Sequence, residues 1–397
     1  MTIVTGLLIL SFLVFFHELG HFAAARLCGV EVEAFSLFMG PVLLHKKIGG
    51  VDWRLSLFPI GGYCKMKGEQ DFAKAVEDGL GYVPGEKDSL YGTHPLKRAL
   101  IGFAGPLFNL IFVYMAMTVI AMIGYTYYTR SATITIPEDP AFVSPAREAG
   151  IKSGDTIVQI AGAPINDFGD IYEQVALRGD EDLEVVVLRP ARDDGTQDGD
   201  SVQGQNENGL QDQNSAPQRL VFTVHTLLNK KEGNGILGVM ASGDVIEKQE
   251  KPLWLLPALA KGAVETKKTL FQTIKSIAVL FKGVDVTNAV SGPARISSML
   301  GQSAKEGFAA GFKTGVIVVL QFMALISVSL FIMNLLPIPI LDGGLILFAL
   351  IEAATKKRIP PKVQYKIQVA GFALIMALFA LGIGGDIKYF VAKASGR

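Results

Sequence analysis

The sequence has little of what several protein classes need. Two cysteines, Cys28 and Cys64, in 397 residues cannot build a disulfide framework. Charge is sparse at 19% of residues, and 37 basic against 37 acidic side chains leave no excess that would point to nucleic acid. No C-terminal lipidation or retention signal is present. A secretory leader is disfavoured, because Met1-Thr2-Ile3-Val4 has no basic residue and the apolar stretch after it holds three ionisable groups. Apolar residues are abundant instead: half the chain is hydrophobic and the mean hydropathy is +0.36. That balance suits an integral membrane protein with an extramembrane part.

The first apolar segment carries the most informative motif, Phe15-Phe16-His17-Glu18-Leu19-Gly20-His21-Phe22. At helical pitch His17 and His21 share one face a turn apart. Both imidazoles can then reach one tetrahedral Zn²⁺, with Glu18 beside a metal-bound water. His-Glu-x-x-His arises by chance in roughly one chain in a hundred of this length, so context decides. Here it lies inside a span, where burying a charged group costs on the order of a few kcal/mol and an ionisable cluster is functional by default.

The rest of the chain supplies that context. Segment one runs from about Ile3 to Leu27, about 37 Å if helical. Val30 to Glu69 reads as a small membrane-surface β-sheet: Glu31–Phe38 alternates partly, Trp53–Leu57 clearly, and Gly49-Gly50 sits between them as a hairpin turn. An exposed sheet edge there could hold an extended substrate by strand addition, or be an ordinary hairpin packed on the helices. Asp71 to Pro95 reads as a loop. Segment two, about Ala99 to Tyr128, contains Ala-Gly-Pro-Leu-Phe-Asn; Pro106 would loosen it, and Asn109 must face protein, where it could serve as interhelical glue. Tyr125, Tyr127 and Tyr128 read as an interfacial belt.

Arg130 to about Ser242 reads as a soluble α/β domain with strands at Ile157–Ile160, Leu183–Leu188 and Leu220–Val224. Within it, 191–218 is polar, Gly-containing and nearly free of large apolar residues, so a disordered insertion is expected. Leu253 to Phe281 reads as an amphipathic surface helix, or a pair broken near Gly262. Segment three, about Thr314 to Leu336, ends in Asn-Leu-Leu-Pro-Ile-Pro-Ile-Leu-Asp-Gly-Gly. Pro337 and Pro339 cannot continue a helix, and non-helical backbone at membrane depth must be packed on protein or a wet cavity. Asp342 offers a carboxylate there, either as third metal ligand or as a helix N-cap. Segment four is about Ile367 to Gly384. Basic residues at Arg26, Lys46, Lys47, Lys97, Arg98, Lys356, Lys357, Arg358, Lys362 and Lys366 mark the cytoplasmic face. The N-terminus and the soluble domain are then outside, and the proposed site lies toward the cytoplasm.

Two resemblances follow. Ser-Pro-Ala-x-x-Ala-Gly-Ile-x-x-Gly-Asp-x-Ile, from Ser144 on, looks like a bacterial, protease-associated PDZ domain, a class that binds extended peptides by adding a strand. His-Glu-x-x-His, Gly-Gly-Tyr-x-x-Met-x-Gly-Glu, Ala-Gly-Pro-x-x-Asn, a PDZ insertion and Asn-x-x-Pro-x-Pro-x-Leu-Asp-Gly together resemble the site-2 protease family, specifically its bacterial enzymes of regulated intramembrane proteolysis. The likeness spans nearly the whole chain. It implies zinc held by His17, His21 and Asp342, with Glu18 as catalytic base. It also implies that Asn334 and the Gly61–Glu69 region, including Gly61, Gly62 and Tyr63, help hold substrate; Asn109 of the Ala-Gly-Pro-x-x-Asn motif is grouped with them. The implied partners are membrane lipid and a single-pass membrane protein such as an anti-sigma factor, already shortened by a site-1 protease. The implied setting is envelope stress signalling at the bacterial inner membrane, with no nucleic acid. The chain departs from longer members in having one PDZ unit, and from many in having Leu345 where a His often follows Asp-Gly-Gly.

The expected fold is therefore an α-helical membrane protein with four transmembrane segments, a membrane-associated β-sheet after the first, and an inserted extracytoplasmic α/β PDZ domain. Its expected parts are 1–28, 29–94, 95–129, 130–245, 246–312, 313–350 and 351–397. Two other classes compete. A catalytically silent scaffold is disfavoured by the intact ligand set. A zinc transporter would need several intramembrane clusters, whereas His45, His94 and His225 lie outside the expected spans.

Overall fold

A computed structural model describes residues 2–139, 141–190, 217–230, 232–243, 245–280, 282 and 292–394. The chain divides into a larger unit of Met1–Tyr125, Glu250–Ile277 and Val286–Arg397, and a smaller one of Thr126–Gln249 and Ala278–Asp285.

The larger unit opens with α1 (Thr2–Cys28), apolar on every face. Strands β1 (Val32–Ile48) and β2 (Val51–Met66) follow, joined at Gly49-Gly50, where both residues take positive φ (61° and 84°) as a two-residue hairpin turn requires. The two strands are long enough to fold back. Residues 42–48 of β1 pair antiparallel with 51–56 of β2, while the first half of β1 also pairs with 62–66, Leu37 opposite Gly62 and Val32 opposite Met66. Among the described residues, 62–66 pairs with no strand other than β1, and Cys64 N and Met66 N donate to the Glu18 and Glu69 carboxylates. The sheet's buried face joins Phe35, Val32 and Cys64 to Ala24, Ala25 and Ile101 of the neighbouring helices.

The stretch expected to be a loop after residue 70 instead begins with a helix, α2 (Glu69–Glu77), whose first turn holds Glu69 and Asp71 as a helix N-terminus favours. Lys67 ties the remaining loop to the sheet through Glu86 at 2.6 Å and Asp88 at 2.9 Å. Those carboxylates hold its amine above the ordinary lysine range.

Helix α3 (Pro95–Ile123) starts a turn earlier than the apolar run suggests, because Pro95 occupies its first position and His94 accepts a hydrogen bond from Leu96 N. Pro106 lies inside it without ending it. The helix stops before Gly124, short of the Tyr128 end expected for segment two, and Tyr125, Tyr127 and Tyr128 follow it in extended backbone. They lie in β3 (Tyr125–Arg130), where an aromatic and β-branched run favours extended backbone.

The smaller unit comprises β4 (Ile134–Thr135), α4 (Pro145–Glu148), β5 (Thr156–Ile160), β6 (Ala163–Pro164), α5 (Phe168–Ala176), β7 (Asp182–Arg189), β8 (Gln218–His225), β9 (Leu227–Leu228), β10 (Gly235–Ile236), β11 (Met240–Ala241) and β12 (Val245–Glu250). Its main sheet has the order β6-β5-β7-β8, and β12 pairs with β3. Of the insertion expected at 191–218, residues 191–216 lie outside the described residues, and Gln218 already opens β8. Ile134, Ile157, Ile160, Val185, Val187 and Val224 form a core closed to solvent. Helix α5 was not foreseen, although Asp167 caps it by accepting from Asp170 N at 3.1 Å.

The chain continues as α6 (Leu255–Leu280), one helix running through Gly262 rather than a broken pair. Helices α7 (Pro293–Ala310), α8 (Phe312–Leu335), α9 (Asp342–Thr355) and α10 (Pro361–Ala394) complete the larger unit. The third expected span is thus split at 336–341, as its two prolines require, while the fourth is longer at both ends than its apolar run because its lysines also favour helix. Four helices, Ile3–Cys28, Pro95–Ile123, Phe312–Leu335 and Pro361–Val391, are long and apolar enough to cross a bilayer. The chain is a multi-pass membrane protein.

Candidate active site

Three helices build the site. Helix α1 places His17 and His21 on one face, each 8% exposed. Helix α3 crosses beside them, and α9 begins with Asp342. Asp342 does not cap that helix; Leu341 occupies the cap position and no side-chain cap bond forms. Its carboxylate turns to the histidines, with Oδ2 3.1 Å from His17 Nε2 and Oδ1 3.4 Å from His21 Nε2. The two Nε2 atoms are 3.2 Å apart. One ligand atom from each of the three residues falls within 4.8 Å of the others.

The outer nitrogens fix the tautomers. His21 Nδ1 lies 2.8 Å from the Ile101 carbonyl, which can only accept, so the proton is on Nδ1 and the Nε2 lone pair points inward. The Asn109 amide lies 3.0 Å from His17 Nδ1. Its oxygen is buried and otherwise unpartnered, so the satisfied arrangement has that oxygen accept from His17 Nδ1–H. Two inward lone pairs and a carboxylate then converge, and Asp342 Oδ2 is itself buried without a hydrogen-bond donor. Two imidazole nitrogens and a carboxylate converging on one point are the donor set that a divalent cation takes. The donor set fits zinc.

Glu18 stands next to this centre. Its Oε2 accepts from Cys64 N at 3.1 Å, so the edge segment of β2 aims the carboxylate. A cavity of about 220 Å³ opens from His17, Glu18, His21 and Asp342 past Tyr91 and Arg98.

The model of peptidase family M50 matches residues 5–378. The chain belongs to this family. Being an M50 peptidase, the site-2 protease family, it is a metalloprotease. It is 36% identical to a protein of Treponema pallidum provisionally named a zinc metalloprotease, over 98% of this chain and 99% of the other. Proteins of Clostridium perfringens and Campylobacter jejuni with the same provisional designation are 32% and 30% identical, over 98% and 97% of this chain and 99% and 93% of theirs.

The substrate-holding residues expected in this M50 peptidase are placed differently from one another. A Cβ on Gly62 would lie 3.9 Å from Glu18 Cγ, so this edge runs directly beside the base. Gly61 meets Met39 and Val14. Tyr63 turns to the opposite face and accepts from Arg54 Nη1 at 3.2 Å. Asn109 serves His17 rather than lining the cavity, and Asn334 lies near the end of α8 outside the cavity's lining.

Sequence reasoning missed other residues of the site. A Cβ on Gly105 would sit 2.2 Å from His21 Nε2, so the helix can carry only glycine where the ligand passes. The signal was present in Gly102 and Gly105, three apart on α3. Arg98, expected only as one of the basic residues marking the cytoplasmic face, also pairs with Glu352 of α9, both side chains largely buried. That pairing joins residues 254 apart and leaves no local trace.

Proposed function

We propose that this protein is an intramembrane zinc endopeptidase that cuts single-pass membrane proteins. The observation that carries the reading is the convergence of Asp342 on His17 and His21 beside Glu18, the last three carried by a helix long enough to span a bilayer. Zinc bound by these three side chains would supply Lewis-acid chemistry, activating a water near neutral pH and stabilising charge on the scissile carbonyl. Glu18 takes the proton of the attacking water and returns it to the leaving amine. Cys64 N–H holds that carboxylate in place, and Ile101 and Asn109 hold the imidazoles. The substrate helix must unwind before cleavage, since its own hydrogen bonds hide the peptide group. Strand pairing with the edge at 62–66 would replace some of them.

The anti-sigma factor class, already trimmed by a site-1 protease, is the substrate we favour, in envelope stress signalling at a bacterial inner membrane. We read the smaller unit as an extracytoplasmic PDZ domain and the site as facing the cytoplasm, as Arg26, Lys97, Lys356 and Lys357 beside the spans favour. A cleft of about 210 Å³ between α5 and residues 234–239, lined by Phe142, Phe168, Ile171, Tyr172 and Val175, supports the PDZ reading, because it has the form of a seat for an extended peptide.

The test is cleavage of a trimmed reporter helix by wild type and Glu18→Gln in one detergent. Wild type should cut and Glu18→Gln should not, while both hold one zinc per chain. Equal turnover by both would exclude Glu18 as base.

A further inference from the structure

Helix α10 carries a polar track that the catalytic residues do not use. Gln364 lines the active-site cavity. Gln368, four residues on and on the same helical face, lines a second groove with Pro339, Ile340, Tyr365, Val369 and Phe372. Leu345 belongs to both walls. The cavity and the outward-open groove thus share Leu345 as a lining residue.

The groove is built rather than incidental. Its far wall is the broken segment after α8, and α10 is brought against it at Gly371, where a Cβ would lie 3.1 Å from Pro339 Cδ. Its surface is apolar and open: Ile340, Val369 and Phe372 are 44%, 47% and 51% exposed. A side-chain amide is expensive in such surroundings unless it is bonded. Gln364 donates to the Ile359 carbonyl at 3.3 Å. Half-buried Gln368 makes no hydrogen bond among the described residues. An amide offers both donor and acceptor, the complement of a peptide unit that has left its helix.

We propose that this groove seats the unwound segment of the substrate next to the scissile bond. Gln368 bonds its backbone, the apolar wall takes its side chains, and Leu345 is the shared lining residue it passes to reach Glu18 and Asp342. The occupant is an extended apolar peptide rather than a lipid chain, which has no group for an amide to bond. The continuity through Leu345 also leads to the catalytic cavity. This inference rests on the proteolytic reading above.

The test uses full-length protein and the reporter helix. A benzophenone amino acid is introduced at Phe372, or at Leu374, which lies about 240° round the helix from Gln368, both in the Glu18→Gln background. The Phe372 probe should capture reporter at least fivefold more than the Leu374 probe. Equal capture, or adducts with lipid alone at Phe372, would overturn the proposal. In the active enzyme Gln368→Leu should raise KM about tenfold with kcat within about twofold, as loss of a binding hydrogen bond does. An unchanged KM would also overturn it. Wild type that cuts the reporter while either groove test fails refutes the groove alone. Wild type that cuts no reporter refutes the proteolytic reading, and the groove with it.

Discussion

The two units use buried polar groups differently. The core of the smaller unit is aliphatic throughout, and its charges are paired around it: Asp155 with Arg189 at 2.7 Å, Asp167 with Lys248 at 2.5 Å. In the larger unit the most consequential buried groups are polar, namely His17, His21, Asn109 and Ser327, the last donating to the Asn109 carbonyl at 2.9 Å. The difference follows from the solvent. In water, apolar burial drives folding and polar groups gather at the edges. In a bilayer, packing an apolar side chain between helices gains little over lipid, so helices associate through small residues and interior hydrogen bonds. Close contacts at Gly6 against Ser297, Gly20 against Ala104 and Gly262 against Thr118 are of that kind. A polar site is therefore compatible with the membrane core in a way it would not be with the Ile157 cluster.

Substitutions sharpen this contrast. The largest effect is expected for Gly105→Ala, whose new methyl collides with His21 Nε2. Cleavage should fall by about 100-fold or more and metal content should drop, read by turnover and bound zinc. The smaller unit should stay folded. Retained zinc and turnover would show that α3 does not set the ligand. The converse substitution is Ile157→Ala, which removes atoms from a fully buried position and should cost the smaller unit about 3 kcal/mol in local unfolding by hydrogen exchange. Zinc content should be unchanged; a parallel loss would mean the units do not fold independently. Asn109→Ala should weaken zinc affinity by about tenfold, as losing a partner of a ligating histidine does, with little change in the melting of the helices. Full affinity would reduce Asn109 to a packing group.

The smallest effect concerns pH. His225 lies between Asp182 at 2.8 Å and Asp180 at 3.2 Å, and these bonds raise its pKa above the ordinary histidine value. A raised folded value means this contribution is complete below about pH 6.5 and is lost as pH rises through the shifted value. Exchange protection of β7 and β8 should therefore fall slightly between pH 6 and pH 8.5, and His225→Gln should abolish that slope. A slope unchanged in the variant would assign it to other groups.

Much of the fold was legible because it depends on local pattern. Apolar runs placed the four spanning helices, and Gly49-Gly50 placed the hairpin. Elements that depend on short-range polar cues were missed: α5 on its Asp167 cap, and α2 among charged residues that suggested a loop. Segment two reads too long, to Tyr128, because the aromatic run continues its apolar character, and only the pairing with β12 shows that 125–130 is a strand. At the site, His17, Glu18 and His21 were legible as one helical face. Asp342 was left between two roles, since a carboxylate opening a helix serves either.

By itself the sequence determined which helices can span a membrane, that two histidines and a glutamate share one turn of the first, and that the third apolar run must break at Pro337 and Pro339. These follow from periodicity and backbone restriction, which act over a few residues. Only the tertiary structure decided that Asp342 meets the histidines instead of capping, that Ile101 and Asn109 set their tautomers, that Cys64 aims Glu18, and that Arg98 is buried against Glu352. Those contacts join residues 46 to 325 positions apart. They are set by how closely helices approach at their small residues, and that spacing exists only once the helices are packed.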